Sequence, residues 1–181
     1  MRDLLAGGGF RWWIAGGWAV ELAGGASRAH GDTDVVVLFD ELDAVRAHLH
    51  DHHLWEAHDG SLRPLLEGEE LRPEREQLWV RRDAASPWLA DLLLTRSDAG
   101  RWLFKRDHRI SLPLDALGST RDGIAYLRPE VVLLHKAHRV RPKDDEDFAS
   151  LLPLLDASAR TWLEEALALV QPDHAWRALL R

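Results

Sequence analysis

The sequence predicts an α/β fold: a mixed β-sheet flanked by helices, with a helical C-terminal part. Three observations predict it. Asp34 to Phe39 (DVVVLF) is a short, β-branched, apolar run bounded by polar residues, the pattern of a buried strand. Other apolar runs of strand length follow as far as Leu127, broken by Ser86-Pro87 and by Gly-containing turns. From Pro129 onward the spacing becomes helical, with Val131, Leu134 and His138 on one face. At one domain per roughly 150 residues, the 181-residue chain makes one domain. We divide it into a catalytic core over 1–128 and a helical region over 129–181 packed on that core.

The elements follow in order. Residues 3–8 read as a short helix that stops at Gly7-Gly8-Gly9. Arg11 to Ala15 is a strand, broken by Gly16-Gly17, and Trp18 to Leu22 begins a helix. After the Asp34 strand, Asp40 is placed to cap a helix from Glu41 to about His53, with Leu42, Val45 and Leu49 as its apolar stripe. Residues 59–76 are acidic and contain Pro64 and Pro73, so loops with one short strand are expected. Gln77 to Arg82, Leu89 to Thr95, Arg101 to Lys105 and Ile124 to Leu127 are further strands. Pro129 suits a first helical position and Glu130 a first turn. Further helices begin near Asp144 and Ser158.

Composition removes several functional classes. With no cysteine, a disulfide scaffold, a thiolate zinc site, an iron–sulfur cluster and a Cys nucleophile are all excluded, and a reducing cytoplasm is the expected location. No apolar run is long enough for a signal peptide or a membrane span. The 30 acidic residues outnumber the 23 basic ones, giving a net charge of −7. That balance argues against general nucleic-acid binding and suits a cationic small-molecule partner, with a monomer or homodimer expected.

The most informative stretch runs from Trp13 to Leu38. It holds the pair Gly16-Gly17, a short helix, and then Asp32-x-Asp34 entering the apolar strand. Residues two apart on a strand point to the same side about 6.6 Å apart, so two carboxylates can converge on one hard cation. Mg²⁺ takes oxygen ligands and keeps waters and substrate phosphates as the remainder. The glycine pair at a strand-to-helix turn offers free backbone N–H groups, which suit a phosphate. Asp91 is a third carboxylate, inside the otherwise apolar WLADLLLT. A buried carboxylate needs a partner, which is either a neighbouring arginine or a metal shared with Asp32 and Asp34.

These residues resemble the nucleotidyltransferase superfamily related to DNA polymerase β, marked by a glycine pair followed by D-x-D. More narrowly, GGWAVEL (Gly16 to Leu22) with SRAHGDTD (Ser27 to Asp34) resembles the small antibiotic nucleotidyltransferases that modify aminoglycosides at the 2'' position or lincosamides. WLFKRDHRISLP (Trp102 to Pro113), Arg128-Pro129-Glu130 and Arg141-Pro142-Lys143-Asp144 extend the resemblance over nearly the whole chain. Two positions depart from the pattern: Glu21 stands where Asp is expected, and Thr33 where an aliphatic residue is commoner. The resemblance implies a nucleotidyltransferase-type sheet and Mg²⁺-dependent transfer of a nucleoside monophosphate, AMP from ATP, to a hydroxyl of a small molecule. It assigns Asp32, Asp34 and Asp91 as catalytic metal ligands, with Asp91 also a candidate base, and Gly16, Gly17, Arg28, Lys136 and Lys143 as contacts to the triphosphate. Arg28, Lys136 and Lys143 have a plainer alternative, as solvated residues or salt bridges to the Asp144–Asp147 run. A macromolecular acceptor, tRNA or a partner protein, and a degenerate nucleotide-binding relative remain the alternative functions.

Other signals carry less. His48 and His52 stand four apart and could share a metal, but an exposed helix end explains them. His30 either orders the loop before Asp32 or fills space, and Trp18 is a candidate cleft wall. Arg101, Lys105, Arg106 and Arg109 are expected to form local salt bridges rather than a nucleic-acid surface.

Overall fold

The computed structural model of the chain describes residues 1–72 and 74–181. Its helices are α1 (Arg2–Leu5), α2 (Gly16–Leu22), α3 (Leu42–His48), α4 (Pro129–Lys136), α5 (Pro142–Leu151), α6 (Ala157–Val170) and α7 (Trp176–Leu180). Its strands are β1 (Trp12–Ile14), β2 (Asp34–Leu38), β3 (His53–His58), β4 (Ser61–Pro64), β5 (Gln77–Arg81), β6 (Trp88–Asp98), β7 (Arg101–Leu103), β8 (Ser111–Pro113), β9 (Gly118–Arg121) and β10 (Ile124–Leu127). Residues 129–181 are helical, and the expected α/β class with a mixed sheet is what forms.

The sheet runs in the order β4-β3-β5-β6-β2-β1-β10-β9, with β7 added to the far end of β6 and β8 to β7. The β2/β6 and β1/β10 pairs are parallel; the other pairs are antiparallel. Side chains alternate between faces along each strand. Val35, Val37, Leu78, Val80 and Leu92 are wholly buried and supply one apolar face. Burial of each such side chain is worth about 1.5–3 kcal/mol, so this face fixes the register. The residues between them, Asp34, Asp91 and Trp79, occupy the opposite face.

The departures from expectation have local causes. Helix α2 starts at Gly16 rather than Trp18, because glycine adopts the turn at its head and Ala15 already accepts the first helical bond, from Ala19 N at 3.2 Å. Helix α3 ends at His48 instead of about His53, and His53–His58 is a strand. The apolar stripe runs out at Leu49, whereas Leu54 pairs with Val80 and Glu56 with Leu78 on β5. Strands β8 and β9 and helix α7 were not expected. They form at short segments whose pairing partners or packing surfaces are supplied from elsewhere.

In the C-terminal part, α4 packs against α6, α5 and α2. Asp156 caps α6 by accepting from Ala159 N at 2.8 Å. Phe148 of α5 stacks on Trp176 of α7 with ring centroids 4.4 Å apart. No helix among the described residues is long and apolar enough to cross a membrane.

Candidate active site

The site starts at the turn between β1 and α2. Ala15 N–H donates to Asp34 O at 2.9 Å, which ties that turn to the head of β2. Gly16 then takes a left-handed φ of 58°, and a Cβ there would collide with the Asp34 carboxylate. The glycine is required on both counts: the backbone conformation disfavours a side chain, and the carboxylate occupies the space. Gly17 is pressed equally closely, since a Cβ would strike His30 and the Arg28 guanidinium.

Parallel pairing of β2 with β6 sets Asp34 beside Asp91 in register, and Asp91 N–H donates to Thr33 O at 2.9 Å. Neighbouring strands lie about 4.8 Å apart, so two carboxylates share one patch of the sheet. Asp91 is 8% exposed and Asp34 half-buried, while Asp32 is exposed just before β2. Burial pushes the Asp91 carboxyl up to about 7; the charges of Asp34 and Asp32 add to the rise, and a hydrogen bond donated by Gln77 Nε2 opposes it. Burial also raises Asp34, followed by the charge of Asp32, against the pull of Lys136, Lys143 and Arg141. Asp91 Oδ1 is buried without a hydrogen-bond partner among the described residues.

This donor set fits a hard divalent cation. Two carboxylates in register, both raised by burial and by a neighbouring carboxylate, and one orphaned buried oxygen are what a cation would relieve. Among the described residues no three His, Cys, Asp or Glu side chains are grouped so as to hold a metal, so Asp34 and Asp91 are the paired donors and Asp32 stands apart, exposed before β2.

The loop leading to Asp32 is ordered by Glu21. Its carboxylate accepts from Arg28 N at 3.0 Å and contacts His30 Nε2 at 2.7 Å. The Arg28 backbone N–H, then His30, hold the Glu21 carboxyl below its usual range. The His30 ring packs against Trp18 at 4.4 Å between centroids, so His30 orders the loop rather than merely filling space. Glu21, the residue that departs from the family pattern, thus has a defined task.

The predicted phosphate-binding cations divide. The Lys136 ammonium is buried between Asp144, at 2.9 Å, and Asp147, at 2.8 Å. Arg28 Nη2 lies 3.3 Å from Asp147. Burial works against Asp144, but hydrogen bonds from Arg141 and Lys136 hold its carboxyl well below the usual carboxylate range. Lys143 is exposed on the cleft wall and makes no ion pair among the described residues. Arg141 faces the same cleft and was not anticipated, nor was Gln77. Gln77 gains its place from the pairing of β5 with β6, whereas Arg141, part of the Arg141-Pro142-Lys143-Asp144 stretch, is held locally by Asp144 at 2.8 Å.

Gly16, Gly17, Asp32, Asp34, Gln77 and Lys143 line one cleft of about 900 Å³, with the buried Asp91 beside Asp34 behind them. Its lining mixes acidic and basic side chains, and Glu76 there is paired with Lys105. The volume lies at the upper end of small-molecule sites, sufficient for two ligands side by side. The secondary signals resolve in part: His48 is half-buried rather than exposed, and only Arg109 of the basic cluster forms a local salt bridge among the described residues. His48 Nε2 sits 3.0 Å from Leu4 O. Arg109 pairs with Asp107, Lys105 with Glu76, and Arg101 bonds Ser111.

Comparison with known proteins adds to this geometry. Residues 1–71, which carry Gly16-Gly17 and Asp32-x-Asp34, match the family model described as aminoglycoside-2''-adenylyltransferase. No curated protein matches the sequence. The solution structure of the antibiotic-resistance factor ANT(2'')-Ia superposes with a TM-score of 0.59 at 16% identity, covering 98% of this chain and 89% of that one. The crystal structure of ANT(2'')-Ia in complex with adenylyl-2''-tobramycin superposes with a TM-score of 0.57 at 12% identity, covering 93% of each chain. At those identities the superpositions establish the fold, and the family match adds the N-terminal motif. Residues 1–71 are thus similar to that family's model, and the chain as a whole shares the fold of ANT(2'')-Ia.

Proposed function

We propose that the protein transfers a nucleoside monophosphate, AMP from ATP, to a hydroxyl of a small cationic molecule of the aminoglycoside class, releasing pyrophosphate. The observation that carries the reading is the in-register pair Asp34 and Asp91, with Asp34 set against the Gly16 turn on the wall of the cleft.

Asp32, Asp34 and Asp91 would hold Mg²⁺, which when bound supplies charge neutralisation for the triphosphate and for the carboxylates themselves. The chain's own residues do the rest. Lys143 offers unpaired positive charge on the cleft wall for the triphosphate, and Gly16 and Gly17, at the turn into α2, offer backbone N–H groups to its phosphates. Lys136 and Arg28 act one step back, by holding Asp147, and Lys136 also Asp144, in place. Asp91 accepts the proton of the acceptor hydroxyl as its oxygen bonds to the α-phosphorus and the bond to pyrophosphate breaks. The net charge of −7 favours a cationic acceptor.

The test is mass spectrometry of products. Protein, Mg²⁺ and each NTP are incubated with tobramycin and with a lincosamide, using Asp32→Asn as control. Asp32 is exposed, so that variant should melt with the wild type while losing transfer. The reading predicts tobramycin heavier by one adenylyl group, with the wild type only. Full activity in Asp32→Asn would refute the metal-site assignment. Absence of any adenylylated drug, with Mg²⁺-dependent ATP binding intact, would refute the acceptor.

A further inference from the structure

The pairing that joins Asp34 to Asp91 continues across the sheet. Asp91 pairs with Trp79 on β5, and Trp79 with Trp55 on β3, so the carboxylates and two indoles form one row on one face. A third indole joins them through an irregularity. The β5/β6 register shifts between Val80 and Arg81, so that Val80 opposes Ala90 but Arg81 opposes Trp88 instead of Leu89. Bulges of this kind re-aim side chains beside active sites. Trp88 then stands edge-on to both Trp79, at 5.2 Å, and Trp55, at 6.1 Å between centroids.

This cluster already holds a cation. The Arg81 guanidinium lies 4.6 Å from the Trp55 ring centre and 4.7 Å from that of Trp88. Its hydrogen bond among the described residues goes to the neutral Ala84 carbonyl, at 3.2 Å, and it forms no ion pair among them. In a chain with 30 acidic residues, this guanidinium is held by indole faces instead of carboxylates. Trp88 is 37% exposed, so the cluster opens to solvent beside Asp91. The basic wall of Lys143 and Arg141 acts on Asp34, whereas the indoles lie beyond Asp91 on its other side in strand order. The phosphates and the acceptor therefore have separate ends of the row.

We propose that Trp55, Trp79 and Trp88 form an aromatic subsite for a cationic amine of the acceptor beside Asp91, and that the Arg81 guanidinium is an internal stand-in for that amine. The inference rests on the nucleotidyl-transfer reading for the acceptor's identity, but the cation site can be tested apart from it. An ammonium over an indole face is attracted by the ring quadrupole, and it displaces Arg81 towards solvent.

Calorimetric titration of the full chain with tobramycin, spermidine and MgATP, on wild type and three variants, tests this. Trp88→Leu should weaken tobramycin and spermidine about 5- to 30-fold, the range of a desolvated cation–π contact. Trp88→Phe, which keeps a π-face, should recover most of that loss, and Arg81→Gln should tighten both polycations by removing the competing guanidinium. MgATP affinity should be the same in all four proteins. Polycation affinity unchanged in Trp88→Leu, or weakened by Arg81→Gln, would overturn the subsite. So would a selective loss of MgATP in Trp88→Leu, which would make the indole a nucleobase platform. Trp88-dependent binding of spermidine, without adenylylation of tobramycin, would sustain the subsite while removing the aminoglycoside acceptor.

Discussion

Replacing Asp91 by Asn separates what the site does from what the fold tolerates. Its carboxyl is 8% exposed, is raised to about 7 and has one oxygen without a partner among the described residues. An ordinary carboxylate titrates near 3.8, so between pH 4 and 7 the folded protein binds a proton that the unfolded chain releases. Stability without metal therefore falls as pH rises through that window, by up to about 1.4 kcal/mol per pH unit, and levels off above pH 7. The full span corresponds to about 4 kcal/mol, of which part is shared with Asp34 and part is recovered by local relaxation, leaving an expected 2–4 kcal/mol. Asn is neutral at every pH and can still accept from Gln77. In EDTA at pH 8, Asp91→Asn should melt higher than wild type by about 5–15 °C for a chain of this length. The difference should shrink steadily towards pH 4. Mg²⁺ should narrow the gap by stabilising the wild type, and the variant should be inactive in transfer. Differential scanning fluorimetry over pH 4–8, with EDTA and with Mg²⁺, reads all of this. A variant no more stable than wild type at pH 8, or a gap that does not change with pH, would refute the reasoning that burial and like charge raise Asp91.

Three further substitutions test the frame around it. Gly16→Ala puts a side chain at a φ of 58° and against the Asp34 carboxylate; a left-handed conformation alone costs about 1–2 kcal/mol, so Tm should fall by a few degrees while transfer is lost through displacement of Asp34. Lys136→Met leaves Asp144 and Asp147 buried without their shared cation and should cost about 3–5 kcal/mol, seen as a large fall in Tm. Lys143→Met should leave Tm unchanged and raise the KM for ATP; equal effects of the two lysine variants on Tm would contradict the division of roles.

How much of this was legible beforehand depends on how local each signal is. The strand Asp34–Leu38 and the break at Gly16-Gly17 were readable because β-branched runs and glycine pairs constrain their own backbone. Asp91 stood out as a lone charge in an apolar run, but its place beside Asp34 depends on parallel pairing of segments far apart in sequence. Parallel strands need a long connection, and nothing in either segment states which partner it will take. The same limit governs the cations. Arg28, Lys136 and Lys143 look alike as residues, yet burial between two carboxylates converts Lys136 into a structural group, whereas exposure leaves Lys143 available. The helix expected to reach His53 ended at His48, because β5 offered Leu54 and Glu56 a pairing that the helix could not match. That early end creates β3 and sets Trp55 in the row of the carboxylates. The segment read least well from its own residues therefore places an indole in the row of the carboxylate pair. A sheet assembled from distant strands gathers side chains whose joint chemistry no single segment displays.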